Sequence, residues 1–258
     1  MSVLCDPALR PIIAHRGASA RAPENTLPAF ALALEEGADA LELDVHVSAD
    51  DVPVVIHDPT LDRTTDRTGA VAELPLARIR EADAGARFSP DGGRTFPWRG
   101  RGVRVPTLDE VLDAFPTTPV IVEIKSVAAC AAVARTLRSH AAEDRCLLMS
   151  FDPLALHPFH APPWVTGATS HEALRLLAGA PIGRAPAEAY YRALSVPERY
   201  HGIPIPLGLL ARAARRIGRP VHVWVVDSPA RAARLWKAGV AGIVTNTPRE
   251  MRALRDRE

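Results

Sequence analysis

Cysteine is scarce in this 258-residue chain: Cys5, Cys130 and Cys146 are the only three, and none stands in a CxxC pair. That excludes a disulfide framework and leaves little material for a zinc-thiolate site. Long hydrophobic runs are missing too, since no stretch of about 18 apolar residues appears and a spanning helix needs one. The opening MSVLCDPALRP has no basic region followed by an apolar stretch, so no signal peptide is expected and a reduced, cytoplasmic protein is. Charge of one sign is also absent: 31 basic against 30 acidic residues leave a net charge of +1. A general nucleic-acid binder would carry a basic excess or stripe, so that class is excluded. No GxGxxG or Walker A loop follows the first strand-like run, which argues against dinucleotide and P-loop folds.

What is present is a regular alternation. Short β-rich apolar runs cover Pro11–His15, Ala40–Val47, Val52–His57, Pro119–Lys125, Arg145–Phe151, Trp164–Ala168, Ala193–Val196, Pro220–Val226 and Ala241–Thr245. Between them lie helical patterns at Leu27–Glu36, Leu108–Ala114, Val127–Ala142, His171–Leu177, Leu207–Ile217, Ala230–Ala238 and Arg249–Arg255. Repeated βα units imply a parallel sheet covered by helices, and about eight of them at this length favour a closed (β/α)8 TIM barrel. The chain is read as one domain over residues 1–258, with a small insertion at about 58–118, between the second βα region and the third barrel strand. So long a connection in a compact domain is functional or carries small elements of its own.

Strand residues alternate faces, and here the inward set is ionisable. Leu41, Leu43 and Val45 oppose Glu42, Asp44 and His46; Val120, Val122 and Ile124 leave Glu123 and Lys125 facing inward; other strands end in His15-Arg16 and in His57. Four strands thus deliver charge to their C-terminal ends, where barrel enzymes place their chemistry. Glu42, Asp44 and Glu123 would converge, and buried carboxylates require protons or a cation. An all-oxygen set suits a hard ion such as Ca²⁺ or Mg²⁺. The alternative is a set of salt bridges to Arg16 and Lys125. His15 and His57 are the candidate proton-transfer pair, with Asp58 orienting His57. Arg16 and Lys125 place positive charge where a phosphodiester would bind. Asn25 is read as a cap of the first helix, Glu24 and Asn25 together as braces of the barrel mouth, and His222 as a satisfied interior histidine.

In order and spacing, several motifs resemble those of the glycerophosphodiester phosphodiesterases. They are His15-Arg16-Gly17, Pro23-Glu24-Asn25-Thr26, Glu42-Leu43-Asp44, His57-Asp58 with Arg63-Thr64-Thr65, Glu123-Ile124-Lys125, Ser150-Phe151-Asp152-Pro153, Val223-Trp224-Val225-Val226 and Gly239 to Thr245. The resemblance implies a barrel that hydrolyses small-molecule glycerophosphodiesters to an alcohol and sn-glycerol 3-phosphate with a divalent cation. It implies metal ligation by Glu42, Asp44 and Glu123, acid/base roles for His15 and His57, and phosphate binding by Arg16 and Lys125. Phe151 is read as closing over the glycerol, and Trp224, inward by alternation with Val223 and Val225, as either a substrate-pocket wall or core packing. Which histidine is the acid stays open, as do the oligomeric state and the choice between a cyclic phosphate and direct attack by water. Asn246 stands where many relatives have Asp, and Asp227 where many have Asn; both are expected to lie away from the carboxylates. Two other readings remain: a lysophospholipase D-like activity, which needs an apolar groove that a 5% aromatic content does not suggest, and a non-catalytic barrel that binds phosphorylated ligands.

Overall fold

The computed structural model describes residues 2–182 and 189–257. Eight parallel strands run in sequence order around the sheet: β1 (Ile12–His15), β2 (Ala40–Val47), β3 (Val120–Ile124), β4 (Cys146–Met149), β5 (Val165–Thr166), β6 (Leu194–Pro197), β7 (Val221–Trp224) and β8 (Gly242–Thr245). β8 pairs with β1 through Ile12↔Ile243, and a parallel bridge between Gly167 and Ala193 joins the two remaining edges. The sheet therefore closes as a (β/α)8 barrel. Helices α1 (Leu27–Glu35), α2 (Leu108–Ala114), α3 (Cys130–Ser139), α4 (Pro153–Leu156), α5 (Ser170–Gly179), α6 (Leu207–Arg216), α7 (Pro229–Lys237) and α8 (Pro248–Arg255) follow the strands in turn.

Face alternation builds two cores. Leu41, Leu43, Val45, Val120, Val122 and Ile124 point outward and pack under the helices with Phe30, Leu108 and Val133. Ile13, Ala40, Ile121, Leu147, Ala193 and Val244 fill the barrel interior, and a 3-10 turn at Val3–Cys5 plugs one end with Leu4. His222 lies in this layer, fully buried, with Nε2 2.9 Å from the Leu4 carbonyl. Gly242 beside it is obligatory, because a Cβ there would sit 2.2 Å from His222 Nδ1.

Burial lowers the His222 pKa from 6.5 to about 4. The unfolded chain therefore binds a proton that the folded chain refuses between those two values, and stability falls as pH drops through this window. The full effect is about 3 kcal/mol, since each unit corresponds to roughly 1.4 kcal/mol. Unfolding midpoints compared at pH 7 and pH 4 should fall less in His222→Gln than in the native protein. An equal drop in both would refute the assignment.

The run expected at Val52–His57 contributes only Pro53–Val55, which pairs antiparallel with β2 through Val45↔Val55. His57 is thus delivered by a hairpin beyond the barrel ring, and three barrel strands, not four, supply the ionisable groups. Within the stretch 58–118, α2 packs on the barrel core through Leu108, Val111 and Leu112, while Leu61, Val71, Ile79, Val103 and Val105 form a small apolar cluster of their own with Val54 and Ile56. That cluster fixes the base from which His57 projects.

Candidate active site

The first turn after β1 sets the geometry. Arg16 and Gly17 are both left-handed, with φ 56° and 85°. Gly17 has no substitute here, because a Cβ would lie 2.6 Å from the main-chain carbonyl carbon of Ala29 in α1. The turn aims the Arg16 N–H at Glu42, with its side-chain Oε2 3.0 Å away. It also holds the Arg16 guanidinium against Glu24 at 2.9 Å and Asp44 at 3.1 Å.

Glu42, Asp44 and Glu123 each offer an oxygen within 4.8 Å of the others. Glu42 and Asp44 are only 7% and 1% exposed, so these charges lack water to solvate them. Burial and the neighbouring Asp44 and Glu123 charges push the Glu42 carboxyl well above its ordinary range. Burial also raises Asp44, but the charges of Lys125 and Arg16, with hydrogen bonds from Lys125 and Asn25, outweigh it and hold that carboxyl low. Lys125 Nζ lies 2.7 Å from Asp44 and 2.6 Å from Glu123. The salt bridges to Arg16 and Lys125 are therefore real, yet they do not balance the site. Glu24, Glu42, Asp44, Asp58 and Glu123 form one connected set with Arg16, Arg63 and Lys125. With every carboxyl ionised, five carboxylates against three cations leave two negative charges, the complement of one divalent ion, and the raised Glu42 carboxyl marks where that charge is uncompensated. The donor set is all oxygen and suits a hard cation.

Each histidine is fixed through Nδ1. His15 Nδ1 lies 2.7 Å from Asn246 Oδ1, and Asn246 in turn donates from Nδ2 and from its backbone N–H to the two carboxylate oxygens of Asp227, both at 2.7 Å. Because the amide nitrogen is committed to Asp227, the amide oxygen must face His15 and accept from it, which settles the tautomer with the proton on Nδ1. Burial and Arg16 lower the His15 pKa, so the ring is neutral near neutral pH. His57 Nδ1 lies 2.6 Å from Asp58 Oδ1. Hydrogen bonds from Arg63 hold Asp58 at about 2 against the pull of burial. Arg63 also grips Glu24 at 2.7 and 2.8 Å, so one chain of ion pairs runs from His57 to the carboxylates. Nε2 of both rings has no protein partner among the described residues.

A cavity of about 540 Å³ opens over this cluster, lined at one end by His15, Arg16, Glu42, His57, Glu123 and Lys125. Phe151 and Trp224, in edge-to-face contact with centroids 5.9 Å apart, form a wall of it. The geometry is that of a carboxylate cluster flanked by two imidazoles and by the Arg16 and Lys125 cations. The profile of the glycerophosphoryl diester phosphodiesterase family matches residues 15–250.

The chain belongs to that family.

Its activity is accordingly that of a glycerophosphodiester phosphodiesterase, a phosphoric diester hydrolase. Among curated relatives, a glycerophosphodiester phosphodiesterase of Caldanaerobacter subterraneus is 32% identical over 92% of this chain and 94% of its own length. Among solved structures, a glycerophosphodiester phosphodiesterase from Agrobacterium tumefaciens aligns with TM-score 0.77 and 30% identity, covering 95% of this chain and all of its own. A phosphodiesterase from Oleispira antarctica, solved in complex with the product sn-glycerol-3-phosphate, aligns with TM-score 0.78 and 26% identity over 99% of this chain and 100% of its own.

All nine site residues named from the sequence meet at this mouth, with Asp44 beneath the cavity surface. One expectation is corrected. Asn25 is not the cap of α1, a role taken by Thr26. Asn25 sits in left-handed backbone at φ 57°, donates from Nδ2 to Asp44 at 2.8 Å, and accepts at Oδ1 from the Asp44 N–H at 3.3 Å. Inward-facing His46 places its Nε2 3.0 Å from the His57 carbonyl and so braces the hairpin end. Asp227 and Asn246, expected to lie away from the carboxylates, make no hydrogen bond or ion pair with them but hold His15. An acid and an amide paired at the ends of β7 and β8 were the signal available in the sequence.

Proposed function

We propose that this family member hydrolyses glycerophosphodiesters such as glycerophosphocholine to the free alcohol and sn-glycerol 3-phosphate. Glu42, Asp44 and Glu123 are the residues that would hold a divalent cation, Mg²⁺ or Ca²⁺. Such an ion, when bound, supplies positive charge beside phosphoryl oxygens whose negative charge grows in the transition state. Arg16 and Lys125 bind the phosphate from the same side. His15, neutral with its lone pair on Nε2, removes the proton from the attacking hydroxyl or water. His57 protonates the leaving alcohol oxygen, and Asp58, ionised throughout, gives the charged form of the ring a counter-ion at 2.6 Å. Phe151 and Trp224 cover the glycerol and exclude water from it.

The observation that carries this reading is the pairing of two Nδ1-anchored imidazoles with a carboxylate set two charges short of balance. The buried free thiols Cys5, Cys130 and Cys146 suit the reducing cytoplasm expected from the sequence, and no helix among the described residues is long and apolar enough to cross a membrane. The test is release of sn-glycerol 3-phosphate from glycerophosphocholine and glycerophosphoethanolamine, with chelator and after add-back of Mg²⁺, Ca²⁺ or Mn²⁺. One product phosphate per alcohol, lost with chelator and restored by one ion, is expected. A folded sample inert towards both substrates with every ion would overturn the reading.

A further inference from the structure

The outer wall of the barrel is electrically uneven. Residues 207–237 hold seven of the 31 basic residues and one of the 30 acidic ones, so the rest of the chain is left with 24 against 29. That one acid, Asp227, is committed to Asn246 at the barrel mouth. Helices α6 and α7 follow the paired strands β6 and β7, so they lie side by side on the wall, and neither carries an acidic residue. Their inner faces are apolar, with Leu207, Leu210, Ala214, Leu235 and Trp236 buried. Their outer faces are stripes of cations: Arg212, Arg215 and Arg216 on one, Arg231, Arg234 and Lys237 on the other, all exposed. Arg231 is ion-paired to Glu198 at 2.6 Å, and none of the other five has an ion pair among the described residues. Helix polarity accounts for cations in the last turns, but it would equally favour acids in the first turns, and both helices have none there.

We propose that this flank rests on an anionic lipid bilayer and is held there by charge alone. The negative potential of such a surface attracts each lysine or arginine that comes close to it, and here six stand on two adjacent helices. None of the molecule's exposed large apolar side chains belongs to α6 or α7, so nothing on this face inserts into the hydrocarbon. The face presents no exposed aromatic ring either, and a single-stranded nucleic acid would need one for stacking. The choice of lipid rests on the hydrolytic reading above: a glycerophosphodiester is what remains of a phospholipid once its acyl chains are removed, so its source is the bilayer surface. The mouth of the barrel lies at the strand ends, whereas these helices clad its side, so the site stays open to solution while the flank is occupied.

The test is co-sedimentation of the full chain with vesicles of phosphatidylcholine alone and of phosphatidylcholine mixed equally with phosphatidylglycerol, at about 50 mM and about 500 mM salt. Binding to the anionic vesicles only, and its loss at the higher salt, is expected. Each cation near the surface is worth about fivefold in partitioning, so Arg212→Ala, Arg216→Ala and Arg234→Ala together should weaken binding by about a hundredfold. These positions are exposed and stand outside the site, so the triple variant should turn over glycerophosphocholine in solution at the native rate, which also shows that it folds. Failure to pellet with either vesicle, or binding that survives the triple substitution, would overturn the proposal. So would tighter binding to duplex DNA than to vesicles at equal phosphate concentration, which would give the face to a nucleic acid. Salt-sensitive self-association without lipid, abolished by the triple substitution, would give it to a second copy and overturn the proposal too. Vesicle binding is read without catalysis, so a chain that binds vesicles but turns over no substrate would remove the hydrolytic reading and leave the docking face standing.

Discussion

Asp44→Asn should lower kcat on glycerophosphocholine by about a thousandfold or more, the effect of losing several kcal/mol of charge stabilisation at phosphorus. The substitution keeps the side chain's size but removes one negative charge from the carboxylate set. It also takes away the oxygen charge that draws Lys125 and Arg16 inward at 2.7 and 3.1 Å. Metal analysis gives a reading independent of turnover: about one divalent ion per native chain and markedly less per variant chain after equal dialysis. Exhaustive chelation of the native protein should reproduce the loss, and add-back should reverse it. Activity that survives both the substitution and chelation would remove the cation from the mechanism and leave the eight charged groups as a purely structural network.

His57→Ala and His15→Ala are each expected to cost about a hundred- to ten-thousandfold in kcat, the usual range for a positioned acid or base. The leaving group separates their roles. An aryl phosphodiester, whose leaving oxygen needs no proton, should recover much of its rate in His57→Ala and little in His15→Ala. Recovery in the opposite variant would reverse the assignment, and full activity in either single variant would exclude that ring from proton transfer. Asn246→Leu keeps the His15 imidazole while removing its anchor, so kcat should fall with KM nearly unchanged. The ¹⁵N shifts of His15 should then report a mixture of tautomers in place of Nδ1–H alone.

Much of this molecule can be read along the chain. β2 matches the expected Ala40–Val47 to the residue, because its inward Glu42, Asp44 and His46 alternate cleanly with outward Leu41, Leu43 and Val45. Barrel closure was legible from the count of βα units. The direction of Pro53–Val55 was not: three apolar residues carry no sign of parallel or antiparallel pairing, and the turn at Ser48–Asp51 makes a hairpin where a helix would have made another βα unit. The roles of Asn25 and Asn246 were hidden for a different reason. An Asn before a helix reads locally as a cap, yet the partner of Asn25 is Asp44, 19 residues away, and that of Asn246 is His15 at the other end of the chain. Local propensity cannot encode contacts made only when strands are brought side by side.

The bond between His15 and Asn246 spans 231 residues and crosses the seam where the last strand meets the first. Contacts this distant in sequence form late, after the intervening loop entropy has been overcome. A chain with seven strands in place would have its carboxylates assembled on β2 and β3, yet the imidazole on β1 would still turn freely. Recovery of catalysis during refolding should therefore lag behind recovery of helical signal, and it times the closing of the ring.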